Sequence, residues 1–327
     1  MIKIGVIGLG AMGKNHARVC SEIEHVELVG VADVNRETAD SISNRFDTKC
    51  YYDYKDLISD IDAAIIATPT TTHYDIACDL LDHGKHVLVE KPFCETVVNG
   101  YELVKKAESE DLVLAVGHIE RHNPVVKFVK DGITSGKFGD LITMTSKRVS
   151  NFPGRIRDVG VIFDFGVHDI DVMHHLVGDI KSVYARAGRF TKDIDHEDYA
   201  NIMLNFENGI TGVVEVNWLT PMKIRRLSLT CSESFVEADY IDQSVTISSS
   251  SFKNIDEANL YNIPIQHNVN HVSIVKKEPL RNEIEDFIKA ISENKRPLAN
   301  GRDGLMALKT AEAATKSYQT GKEVEIL

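Results

Sequence analysis

Over the first 118 residues, short and mostly apolar runs alternate with stretches of helical period. The runs at residues 2–7, 26–32, 63–67, 86–89 and 113–116 predict strands buried on both faces. Between the first two, His16, Ala17, Val19, Cys20 and Ile23 fall on one side of a predicted helix, and residues 74–82 and 100–109 predict two more. Strands separated by helices give a parallel sheet covered on both faces. The pattern changes after Gly117. Residues 124–137 predict a helix, and from Leu141 the period becomes two, as in Ile142, Met144 and Ser146, then Ile202, Leu204 and Phe206. Asn208-Gly209 lies between runs at 201–206 and 210–218 and predicts a hairpin, because both residues tolerate positive φ. Alternation of this kind leaves one sheet face exposed or partnered, which points to a homodimer or homotetramer formed through the C-terminal sheet. Helical stripes return at Leu280, Ile284, Phe287, Ile288 and Ile291, then at Leu305, Leu308 and Ala311. The expectation is an N-terminal domain at 1–118 and a second domain at 119–327.

Length supports that division, since 327 residues exceed one ordinary core. Hydrophobic residues at 43% and charged residues at 26% fit a soluble globular chain. A net charge of −12 disfavours nucleic acid and anionic membranes as partners. Five cysteines, an odd number with no C-x-x-C spacing, argue against a disulfide or metal framework and for a reducing compartment. The chain opens directly on a strand pattern, without a signal-like segment, and no apolar run approaches the roughly 20 residues that span a bilayer. The expected location is the cytoplasm.

The chemistry begins at Gly8-Leu9-Gly10-Ala11-Met12-Gly13, which reads G-x-G-x-x-G between a strand and a helix. Glycines there allow a tight turn and close approach of a pyrophosphate to the helix N-terminus. The second strand ends at Asp33, where a carboxylate accepts hydrogen bonds from a ribose and repels a 2′-phosphate, so NAD is favoured over NADP. Arg36, close by, softens that preference. Glu90-Lys91-Pro92 follows the fourth strand, and ligands bind beyond the carboxyl ends of such strands. Asp164 and His168 are four apart, so a helix would place them on one face, a carboxylate orienting a general base. A metal reading of Asp164, His168 and Asp171 is weaker, since no other ligand cluster stands out, and no metal is expected. Cys94 is expected to be buried packing.

Taken together, the glycine fingerprint, Ala67-Thr68-Pro69 with His73, Glu90-Lys91-Pro92 and the Asp164 to His168 segment resemble the Gfo/Idh/MocA oxidoreductases, from residue 1 to about 320. The resemblance implies a Rossmann domain with a doubly wound parallel sheet, then an α+β domain with a large open, mostly antiparallel sheet. It also implies Lys91 and His168 as a catalytic pair supported by Asp164, with Thr68, Pro69, His73, Glu90 and Lys91 at the nicotinamide site. Members oxidise sugars, inositols or nucleotide sugars. The run Val116-Gly117-His118-Ile119-Glu120-Arg121-His122-Asn123-Pro124 is similar to one in the branch that includes UDP-N-acetylglucosamine 3-dehydrogenases, with His122 in place of a carbocyclic aromatic residue. That similarity puts Arg121 and Asn123 at the substrate.

A basic cluster, Lys147, Arg148, Arg155 and Arg157, precedes the His168 segment in an acidic chain. Guanidinium forks suit phosphate oxygens, and a salt-bridged loop is the equal alternative. The expected reaction is NAD-dependent oxidation of a sugar secondary alcohol, such as that of UDP-N-acetylglucosamine to its 3-keto form. A neutral-polyol dehydrogenase and a catalytically silent NAD-binding regulator are the rival readings.

Overall fold

Two sheets organise the chain, whose residues 1–152, 159–192, 194–252 and 265–326 are described in a computed structural model. In chain order the first elements are β1 (Ile2–Ile7), α1 (Ala11–Glu22), β2 (Val26–Ala32), α2 (Arg36–Phe46), β3 (Lys49–Tyr51), β4 (Ala63–Ile66), α3 (His73–Asp82), β5 (His86–Val89), α4 (Val97–Ser109) and β6 (Leu114–Val116). There follow α5 (Pro124–Thr134), β7 (Leu141–Asn151), a π-helical turn (Ile162–Gly166), α6 (Val167–Val177), β8 (Ile180–Gly188), β9 (Tyr199–Phe206) and β10 (Thr211–Asn217). The last are β11 (Leu219–Cys231), β12 (Phe235–Asp239), β13 (Ser244–Phe252), β14 (Ile265–Val272), α7 (Pro279–Glu293), α8 (Gly301–Thr320) and β15 (Val324–Glu325). Among the described residues no helix is long and apolar enough to cross a membrane.

One compact unit comprises Met1–His122 and Glu278–Lys309. Its six strands run in the order β3-β2-β1-β4-β5-β6 and pair in parallel. The order reverses between β1 and β4, the switch point at which such sheets leave a crevice beyond their carboxyl ends. Ile4, Val6, Val31, Ile65 and Leu88 of the strands pack with Ala17, Val19 and Cys20 of α1 and with Leu280, Ile284 and Phe287 of α7. Each large side chain of this kind stabilises by about 1.5–3 kcal/mol on full burial. The expected single boundary near residue 118 does not anticipate the return of α7 to this unit. Its stripe specifies a helix with a buried face but not which sheet receives it.

The other unit comprises Asn123–Lys277 and Thr310–Leu327. Its nine strands run β14-β13-β12-β11-β7-β10-β9-β8-β15. Every neighbouring pair is antiparallel except β7 and β10, which pair in parallel from Thr143 and Thr211 onward. The mostly antiparallel open sheet is the one the resemblance implies. The predicted hairpin is present: Gly209 has φ +83° and the Asn208 Oδ1 accepts the Ile210 N–H at 3.2 Å. One sheet face, with Met144, Ile202, Leu204, Val214 and Val216, packs into a core shared with Val125 and Val129 of α5 and Ile170 and Met173 of α6. The other face carries exposed residues, Tyr199 and Met203 among them.

Candidate active site

The glycine loop is built by its own backbone. Gly8 has φ +84°, and a Cβ there would lie 2.7 Å from the Ala67 carbonyl carbon and from the Thr68 nitrogen. A Cβ at Gly13 would lie 1.8 Å from the Gly8 oxygen, so α1 can approach the loop only without a side chain at that position. Gly10 differs: it is exposed, and a Cβ there would meet nothing within 4 Å. α1 starts next to it with no side-chain cap and no acidic residue in its first turn. Uncapped amides, positive dipole and open space are what an anionic phosphate needs. Asp33 holds the loop from β2, its Oδ2 accepting the Leu9 N–H at 2.7 Å and its Oδ1 the Asn35 N–H at 2.8 Å. Each carboxylate oxygen retains acceptor capacity for a ribose hydroxyl. Arg36 lies over the Tyr52 ring, 4.3 Å from its centroid. The residues present therefore fit a dinucleotide.

Next along the sheet, His73 ties the ends of β4 and β5 together. It is buried, with Nε2 2.9 Å from the Thr68 oxygen and Nδ1 3.0 Å from the Pro92 oxygen. Burial pushes its pKa down, against the pull of the two carbonyls. Thr68 also accepts the Thr72 hydroxyl at 2.8 Å, and Pro69 is exposed. After β5, Glu90 is buried and Lys91 half-buried, and the Lys91-Pro92 peptide is cis. Burial alone would raise the Glu90 carboxyl, but its hydrogen bond to His16 and the charges of His16 and Lys91 hold it below the ordinary value. Cys94 is buried, as expected.

In the nine-stranded unit, Asp164 is buried inside the π-helical turn and His168 is half-buried in the first turn of α6. The regular helix expected across both residues is therefore interrupted. The Val167 N–H reaches back to the Ile162 oxygen, the wider winding that recurs at functional positions. External acceptors take the first amides: the Glu197 Oε1 accepts the Ile162 N–H at 3.1 Å, and the Glu197 backbone oxygen accepts that of Val161 at 3.0 Å. Burial pushes the Glu197 carboxyl above its ordinary pKa. Nothing in the sequence reading singled out Glu197; the acidic run 195–198 just before β9 was the available signal.

Three expected substrate contacts are engaged with the chain itself. Arg148 is 1% exposed, its Nε donating to the Asp169 Oδ2 at 2.6 Å and its guanidinium lying over the Tyr240 ring. Lys147, its neighbour on β7, points to the opposite face and pairs with Glu215 at 2.9 Å. The expected basic cluster is thus split by strand alternation, and Arg148 is an interior ion pair rather than an open anion site. Arg121 is 3% exposed and contacts Asp303 at 3.1 Å and the Leu298 oxygen at 2.9 Å. Asn123 caps α5 through Val125 and donates to the Tyr240 oxygen at 3.1 Å. Arg155 and Arg157 lie outside the described residues.

Comparisons with known proteins agree with this geometry. Residues 2–118 match the family described as an oxidoreductase family with an NAD-binding Rossmann fold. Residues 126–237 match the GFO/IDH/MocA C-terminal domain. The UDP-N-acetylglucosamine 3-dehydrogenase of Acidithiobacillus ferrooxidans is 28% identical over 317 residues, 95% of each chain. An inositol 2-dehydrogenase of Rhizobium meliloti is also 28% identical, over 99% of each chain. A solved structure of the Acidithiobacillus enzyme superposes with a TM-score of 0.87 over 98% of each chain, at 26% identity.

Proposed function

The chain belongs to the Gfo/Idh/MocA oxidoreductases, an NAD-binding family of dehydrogenases, and from that premise we propose that it oxidises a secondary alcohol of a nucleotide sugar. The observation that carries the cofactor half is the uncapped α1 terminus beside the open Gly10, in a loop whose Leu9 amide is held by Asp33. Bound there, NAD supplies the acceptor for the hydride that leaves the alcohol carbon. Gly8, Gly10, Ala11, Met12 and Gly13 hold its phosphates, and Asp33 holds its ribose. Thr68, Pro69, His73 and Glu90 shape the nicotinamide end.

The remaining work falls to two side chains. Lys91 polarises the reacting oxygen, and the ammonium stabilises negative charge as the O–H bond weakens. His168 accepts the hydroxyl proton, with Asp164 orienting the imidazole. The substrate best supported is UDP-N-acetylglucosamine, taken to its 3-keto form, because both a relative and a solved structure of an enzyme of that name align with this chain over 95% or more of its length. Arg155 and Arg157 are the remaining candidates for its diphosphate, now that Arg148 is engaged with Asp169. That loss, with the same 28% identity to an inositol dehydrogenase, favours a second reading, oxidation of a neutral polyol. The exposed sheet face with Tyr199 and Met203 suits pairing with a second copy of the chain.

Purified protein with NAD⁺ should reduce it in the presence of UDP-N-acetylglucosamine and not of free inositols or glucose. The reverse pattern selects the polyol reading. Lys91→Ala and His168→Ala should each lower kcat by about 10²–10⁴-fold, the range for a positioned proton-transfer group. Full turnover by both variants removes the proposed mechanism.

A further inference from the structure

α1 carries a second polar group beyond its phosphate end. His16 lies three residues after Gly13 and is fully buried. Its Nε2 meets Oε1 of Glu90 at 2.8 Å. An ionised carboxylate only accepts, so Nε2 is the donor. Nδ1 has no hydrogen-bond partner among the described residues, which leaves this single bond as the ring's polar attachment. The other carboxylate oxygen of Glu90, Oε2, accepts the backbone N–H of Lys91 at 3.1 Å. Behind it, a Cβ on Gly117 would lie 2.9 Å from Oε2 and 3.1 Å from the Glu90 Cα. The carboxylate is therefore gripped on three sides: by an imidazole of the dinucleotide helix, by the Lys91 peptide and by bare backbone at the end of β6.

A second acid stands in the same cluster. One side-chain nitrogen or oxygen from each of His16, Glu90 and Glu283 of α7 lies within 4.8 Å of the other two, and all three residues are buried. Two carboxylates this close repel, which disfavours the charged form of each unless a donor compensates. His16 is the donor in contact with Glu90. Without it, Glu90 is free to rotate away from Glu283 or to take up a proton, and either change loosens its hold on the Lys91 amide.

We propose that His16 is a positioning residue, which acts through Glu90 to fix the backbone from which Lys91 projects. The inference rests on the role given to Lys91 above. It makes one helix serve two ends of the reaction: the first turn of α1 receives the cofactor phosphate and the second sets the lysine. What His16 contributes is an N–H at the Nε2 position, and displacement of a reacting group by about 1 Å can cost 10²-fold in rate.

Three variants separate this role from simple packing. Glutamine places an amide nitrogen close to the Nε2 position, asparagine places one nearer to that of Nδ1, and leucine supplies no donor. His16→Gln should keep kcat within about threefold of the parent, and His16→Asn and His16→Leu should each lose about thirtyfold or more. NADH affinity, followed by cofactor fluorescence, should change by less than about threefold in all three, which is under 1 kcal/mol. Exchange of the Lys91 amide proton should quicken in the asparagine and leucine variants and stay near the parent's in the glutamine one. Parental turnover by His16→Leu overturns the proposal, as does an equal fall in His16→Gln. Loss of NADH binding in step with kcat also overturns it and makes His16 a support of the cofactor helix alone. Lys91→Ala is the control: if it turns over normally, the reading of Lys91 fails. If it is inactive and His16→Leu is not, only the present inference fails.

Discussion

The glycine loop of the six-stranded unit and the π-helical turn of the nine-stranded unit are built from different materials. The first uses backbone: Gly8 and Gly13 let the chain touch itself, the α1 amides point outward, and one carboxylate, Asp33, pins the loop. The second uses buried ionisable side chains, Arg148 with Asp169 under α6 and Glu197 at the first amides of the π-helical turn. The difference fits the roles proposed for the two segments. A phosphate is met well by amides whose positions the chain path fixes. A titrating imidazole needs a local electrostatic setting, and that setting is made by burying charge with a partner.

Four tests ask whether this contrast is real. The largest effect is expected from Arg148→Met, which takes the guanidinium away from Asp169 at 1% exposure. Breaking such a pair costs about 3–5 kcal/mol, seen as a fall in denaturant midpoint. Arg148→Met with Asp169→Leu should recover most of that loss; if the single variant is mild, the pair is not what secures α6. Next comes Gly13→Ala, whose Cβ must displace the Gly8 oxygen. NADH affinity should drop about a hundredfold, near 2.8 kcal/mol, and an unchanged affinity would mean that the loop is not backbone-limited. Asp33→Asn keeps an acceptor for Leu9 but removes the charge. NAD should bind about tenfold more weakly, close to 1.4 kcal/mol, with the preference over NADP narrowed.

The smallest effect concerns Glu197. Its raised carboxyl pKa means that the folded state holds the proton more tightly than the unfolded chain, whose value is near the ordinary 4.5. Its stabilising contribution is complete below that value and is lost as pH rises through the folded pKa. Glu197→Gln, which still accepts from Ile162, should therefore gain on the parent in thermal midpoint as pH rises. A gap that stays constant with pH would show that burial does not set this group.

What could be read in advance follows the same divide. The glycine loop, Asp33 and the Lys91 turn are local, each specified by a few adjacent residues after a predictable strand, so their places were legible. Arg148 was read as part of a basic cluster because it adjoins Lys147, yet neighbours on a strand face opposite ways. Its partner Asp169 lies on another element, as Asp303 does for Arg121 and Tyr240 for Asn123. Such pairings depend on the fold and leave no mark in spacing. The π-helical turn around Asp164 is of the same kind: its winding reflects acceptors from Glu197, and the sequence pattern shows only a helix.

The return of α7 also bears on how the protein is made. Leu280, Ile284 and Phe287 close a core begun by Ile4 and Val6, and strands β7 to β14 of the second sheet are translated between them. The ribosome therefore releases the cofactor-binding portion with an apolar face uncovered, and that portion waits, through the synthesis of the second sheet up to β14, for its last helix. Shortened proteins ending near residue 122 would keep that face bare and should aggregate, whereas the full chain should not. A mutation that slows assembly of the second sheet would thus surface as a folding defect in the first.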